Sequence, residues 1–132
     1  MKKSDHRKSI LLPLLLLLAT GSAWAGWEKI GETDQKTIYV DRATLRKEGD
    51  LRMIWSIQDF KQRSKDGEMS SRMRSEYDCK GERYRFLGIS THSESMAGGK
   101  MLFSALEDLK EPWSEIPPES AGERILKIAC AQ

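Results

Sequence analysis

The stretch Ser75-Glu76-Tyr77-Asp78-Cys79-Lys80 decides how this chain folds. It closes a run over residues 69–79 in which Met69, Met73, Tyr77 and Cys79 share one parity and Arg72, Arg74, Glu76 and Asp78 share the other. Side chains along a strand alternate between faces, so the run predicts a strand with one buried and one solvated face. It ends in one of only two cysteines. The other, Cys130, stands at the end of a short amphipathic helical pattern. Two cysteines in an exported chain are most simply a disulfide, and they allow one intramolecular pairing. A Cys79–Cys130 bond would tether the helix to the strand and make one small sheet-plus-helix domain.

The helix pattern begins at Ser120-Ala121-Gly122-Glu123, which fits a capping box with Ser120 as N-cap. Ala121, Ile125, Ile128 and Ala129 then recur at helix spacing and form an apolar stripe. A helix of about ten residues is not stable alone, so the stripe must pack on the sheet. Upstream, residues 27–30, 37–41, 51–60, 83–91 and 101–105 read as further strands, giving about six in all. In the longest, Met53, Trp55 and Ile57 share one parity, while Ile54 and Phe60 share the other, which predicts a central strand covered on both sides. Asp41 and Thr44 suit a tight turn, Gly49 a hairpin loop, and Gly98-Gly99 the tightest point of a loop over residues 93–100. Prolines 112, 117 and 118 predict irregular chain over residues 107–118, anchored by Trp113.

The first 25 residues read as a separate unit. Lys2, Lys3, Arg7 and Lys8 form a basic region, residues 10–19 an apolar run broken by Pro13, and Ala23-Trp24-Ala25 an A-x-A cleavage site. This predicts a secretory signal peptide over 1–25, cleaved before Gly26, and one domain over 26–132. The route is the general secretory one, since no Arg-Arg pair is present, and no cysteine stands at the cleavage site to accept lipid. The leader holds four of the 22 basic and one of the 20 acidic residues, leaving 18 and 19 in the mature domain, a net charge of −1. That balance points to no nucleic-acid partner. No later run approaches the length of a membrane span, so the mature chain is expected to be free of transmembrane segments.

Few residues invite chemistry. His92 is the one histidine left after cleavage and reads as an exposed loop residue; catalysis would need a carboxylate and a nucleophile fixed around it. Zinc lacks a ligand set, and a Cu(I) site from Met96, Met101 and His92 is less economical than packing by the two methionines. No cofactor, metal or catalytic residue is therefore expected. Asp41, Asp59, Glu76 and Asp78 read as turn caps and surface ion pairs rather than an acid–base pair. The constellation that remains is Arg72 and Arg74 on one strand with Arg83 and Arg85 on the next, each pair two residues apart. Aligned across the hairpin they would form a basic ladder for an acidic protein segment or sulfated polysaccharide. The competing reading is a solvated face neutralised by Glu76, Asp78 and Glu82.

Taken together, Trp27-x-x-Ile30-Gly31, Tyr39-Val40-Asp41, Trp55 with Asp59-Phe60, Glu76-Tyr77-Asp78-Cys79-Lys80, Met96-Ala97-Gly98-Gly99, Trp113 with Pro117, and the Lys127-Ile128-Ala129-Cys130 ending resemble the surface-adhesin protein E family of exported bacterial proteins. The pieces span nearly all of the mature chain, in order. The resemblance implies an α+β fold: a single antiparallel sheet with the C-terminal helix held against it by the disulfide. It also implies non-enzymatic protein binding, with adhesion to host matrix or plasma proteins. A soluble periplasmic factor binding an envelope protein is the alternative, ahead of a small periplasmic enzyme or metal binder. Neither oligomeric state nor partner identity is expected from these residues.

Overall fold

The computed structural model describes residues 26–107, 109 and 111–131; the expected leader over 1–25 lies outside the described residues. Six strands follow one another in space as they do in sequence: β1 (Glu28–Glu32), β2 (Lys36–Glu48), β3 (Leu51–Phe60), β4 (Ser70–Asp78), β5 (Arg83–Glu94) and β6 (Gly98–Ala105). Every pairing is antiparallel. A two-residue strand, β7 (Ser114–Glu115), pairs the start of β5, and α1 (Ala121–Cys130) ends the chain. This is the α+β architecture the sequence predicts.

One face of the sheet carries Ile38, Val40, Ile54 and Tyr77, and α1 lays Ile125 across them. Tyr77 is 1 % exposed and stacks on Tyr84, ring centroids 6.0 Å apart. The expected stripe does the packing: Ile125 and Ala129 are buried, and Ile128 and Leu126 add to the edge of the core. Ser120 caps the helix by accepting a hydrogen bond from the Glu123 amide at 3.2 Å. The return bond of the capping box is displaced by one residue, with the Glu123 carboxylate accepting from the Glu119 amide at 3.3 Å. Cys130, the last helical residue, is bonded to Cys79 immediately after β4, their Cα atoms 5.7 Å apart.

Several elements differ from their expected form. The turn expected at Asp41 and Thr44 is a bulge inside one long strand: pairing with β3 jumps from Asp41–Trp55 to Arg46–Met53. The same two side chains hold it, Asp41 Oδ1 accepting from the Ala43 amide and Thr44 Oγ1 donating to the Asp41 carbonyl. The loop over 93–100 shrinks to a 3-10 turn at Ser95–Ala97 between β5 and β6. Its tight points are Met96 and Ala97, at φ of 56° and 59°, together with Gly99 at 68°; Gly98 is extended. Left-handed non-glycine residues need support, and here the Met96 amide donates to Asp59 Oδ1 and the Ala97 amide to Ser70 Oγ, both at 2.9 Å. Asp59 thus acts as a turn cap, one of the two roles expected for it.

Candidate functional site

The sheet face away from α1 carries the residues of interest. Arg72, Arg74, Glu76 and Asp78 alternate along β4, and Arg83 and Arg85 meet them from β5. The register is not the one a ladder of facing arginines requires. Arg85 pairs with Glu76 and Arg83 with Asp78, while Arg74 faces Gly88 and Arg72 faces Ser90. The pairing shifts by one residue between Arg74 and Ser75, so the two arginine pairs share a face but stand offset along it.

The offset builds two unlike ends. Near the hairpin, the Arg85 guanidinium donates to Glu76 Oε1 at 2.6 and 2.9 Å, and Arg83 Nε donates to Asp78 Oδ2 at 2.9 Å. Glu76 and Asp78 are buried, at 8 and 9 % exposure, so this part of the face is not freely solvated as alternation suggested. Asp78 also accepts from the Gly81 and Lys80 amides; the Gly81 bond first, then Arg83, holds its carboxyl below the usual range. Both arginines then lie over the Trp113 ring, at 4.8 and 4.3 Å from its centroid. The chain after β6 brings Trp113 there, because β7 pairs with Arg83 and Tyr84.

At the other end, Trp55 of β3 stands directly opposite Arg74. The guanidinium groups of Arg72 and Arg74 lie 4.4 and 5.9 Å from its ring centroid. Arg72 Nε is buried with no hydrogen-bond partner. Beside Trp55, the β2 bulge opens a hollow of about 330 Å³ lined by Arg46, Met53 and Arg74 among others. Each tryptophan is thus flanked by two arginines. Cation–π contact contributes about 0.5–1 kcal/mol at exposed sites. It also restricts the guanidinium groups, which lowers the ordering cost when a carboxylate or sulfate docks.

His92 is not the exposed loop residue expected. It lies within β5, 6 % exposed, with Nε2 2.8 Å from Ser90 Oγ, and Ser90 is fully buried. Burial, and then the Arg72 cation, push its pKa down. The imidazole is therefore neutral in the folded protein at pH 7, whereas the unfolded chain takes up a proton as pH falls through about 6.5. Its contribution to stability is complete above that value and is lost on acidification. Unfolding free energy should fall between pH 7 and 5, by at most about 1.4 kcal/mol per pH unit from this one group. His92→Gln should flatten that slope in denaturant titrations at graded pH, and an unchanged slope would show that another group carries it.

Sequence reasoning missed a further feature. Met101, Leu102 and Phe103, on the edge strand β6, are 53, 44 and 55 % exposed. Residues 101–105 read as a strand, as they are, but nothing in the run marks β6 as the last strand of the main path, paired only with β5 among the described residues. Among the described residues no group of three or more His, Cys, Asp or Glu side chains could hold a metal ion, and no helix is long and apolar enough to cross a membrane.

Comparison with known proteins completes the description. The family profile described as surface-adhesin protein E matches residues 27–131. No curated protein sequence matches. Among solved structures, crystal form II of Haemophilus influenzae protein E superposes with a TM-score of 0.63 at 12 % identity, covering 81 % of this chain and 88 % of that one. The selenomethionine form of the same protein gives 0.60 at 12 % identity, covering 81 and 87 %. Protein E from non-typeable Haemophilus influenzae also gives 0.60 at 12 % identity, covering 81 and 76 %. At such identity the likeness is one of fold.

Proposed function

The chain belongs to the surface-adhesin protein E family, and on that premise we propose that it is an exported, non-enzymatic domain that adheres to another protein, with a host matrix or plasma protein as the partner class. In this reading residues 1–25 are the leader and Gly26 begins the mature chain.

The observation that carries the reading is the arginine–tryptophan face. Arg72, Arg74, Arg83 and Arg85 are the contact residues, the first two packed on Trp55 and the second two on Trp113. Glu76 and Asp78 neutralise the Arg83/Arg85 end. Arg72, with no carboxylate partner among the described residues, is therefore the strongest anion seeker of the four, and the stacked rings supply the flat aromatic area that protein interfaces favour. The exposed Met101–Leu102–Phe103 strip favours a protein over a sulfated glycan as partner. Apolar side chains gain nothing from a polysaccharide sulfate but gain burial against a protein surface.

Ser90 and His92 are in hydrogen-bond reach, but both are buried and no carboxylate orients the imidazole among the described residues. That geometry supports a structural pair rather than a nucleophile and its base.

Protease treatment of intact cells tests where the protein acts. Digestion with the outer membrane intact is the expected result for an adhesin. Complete protection, with digestion after the envelope is opened, would replace adhesion to host proteins by a soluble periplasmic role with an envelope partner.

A further inference from the structure

On the opposite face of the sheet, we infer that the cleft between the N-terminal end of α1 and the strands is a binding site for a small monocarboxylate with an aromatic or short aliphatic body. The cleft encloses about 210 Å³. Its apolar wall is Met73, Tyr77, Tyr84 and Phe86 from the sheet and Ile125 from the helix. Pockets for drug-sized molecules run to about 300–1,000 Å³, so this one suits a ligand of roughly ten non-hydrogen atoms.

Three features of the cleft recognise an anion. Ser120 caps only the Glu123 amide, so the Ala121 and Gly122 amides open the helix without protein acceptors among the described residues. Both residues line the cleft, and a helix N-terminus carries partial positive charge. Lys36 lines it too, its ammonium held by Gln58 Oε1 at 2.9 Å. Lys36, Ser120 and Ala121 also line the adjoining hollow toward β1, which puts the cation beside the helix end. Third, Ser56 is 2 % exposed, lines the cleft, and has no hydrogen-bond partner among the described residues. Its hydroxyl is free to donate to a carboxylate oxygen in the cleft. Glu119 borders the adjoining hollow, and Glu123 at the helix end is occupied by Lys127 and the Glu119 amide. Neither acid lines the cleft itself.

The test is a ¹⁵N-NMR titration of the full-length protein as purified from cells, with 3-phenylpropionate, hexanoate and the uncharged 3-phenyl-1-propanol as probes. Both acids should move the Ala121, Gly122 and Ser56 amides with dissociation constants on the order of a millimolar, and the alcohol should bind about tenfold or more weakly. Lys36→Met should weaken the acids about fivefold or more and leave the alcohol unchanged. Ser56→Ala, which keeps the fold and removes the hydroxyl, should weaken the acids in the same sense. Absence of shifts at these amides up to about 20 mM acid, or equal binding of acid and alcohol, would overturn the proposal.

Discussion

Cys130→Ser should lower the stability of the domain by about 2–5 kcal/mol, measured by denaturant unfolding of the purified protein. The bond joins positions 51 residues apart, and the chain-entropy account assigns a loop of that length roughly 4 kcal/mol. What it holds in place gives the loss its size. The helix is ten residues long and buries only Ile125 and Ala129 fully. Without the tether its docking rests on that stripe and on single contacts such as Arg124 with the Ile30 carbonyl. A domain whose whole stability is about 5–15 kcal/mol has little to spare. The unfolded variant should also lose the Tyr77 environment early, because Ile125 covers the same cluster. A variant as stable as the wild type would mean that the helix docks without its tether.

This outcome was legible in the sequence because two cysteines leave no choice of partner. The strands were legible for a similar reason: period-two alternation over residues 69–79 places Met73 and Tyr77 inside whatever the partners are, and both are buried. What could not be read is register. A one-residue shift at Arg74–Ser75 sets Arg85 opposite Glu76, where the unshifted register would set it against Tyr77, and no local residue pattern announces it. The β2 bulge escaped in the same way. Asp41 and Thr44 make local bonds whether the chain turns back or continues, and only pairing with β3 separates the two cases. β7 is two residues long, too short for any periodicity. His92 was misplaced because the strand runs on to Glu94, through polar residues that carried no apolar signal.

Register also alters what replacing the arginines does. Glu76 is buried against Arg85, so Arg85→Gln alone strands a buried carboxylate and should cost about 1–3 kcal/mol. All four arginines are therefore dispensable for folding only if Glu76 is changed with them. Pairing the substitutions with Glu76→Gln removes that stranded charge, while Asp78 keeps the Lys80 and Gly81 amides when Arg83 is lost, so folding is separated from binding.

The central claim is that the protein makes contact through the face where four arginines flank two tryptophans. The most direct measurement is retention on immobilised laminin, with heparin as the glycan counterpart, across graded salt. It compares the wild type with a variant carrying Arg72→Gln, Arg74→Gln, Arg83→Gln and Arg85→Gln together with Glu76→Gln. The variant should unfold as a single cooperative transition and bind laminin about tenfold or more weakly near 0.1 M salt, with the gap closing as added salt screens the wild type. Heparin should hold the wild type less firmly than laminin does, since it offers nothing to Met101–Phe103. A folded variant retained on laminin like the wild type at every salt concentration would contradict the claim.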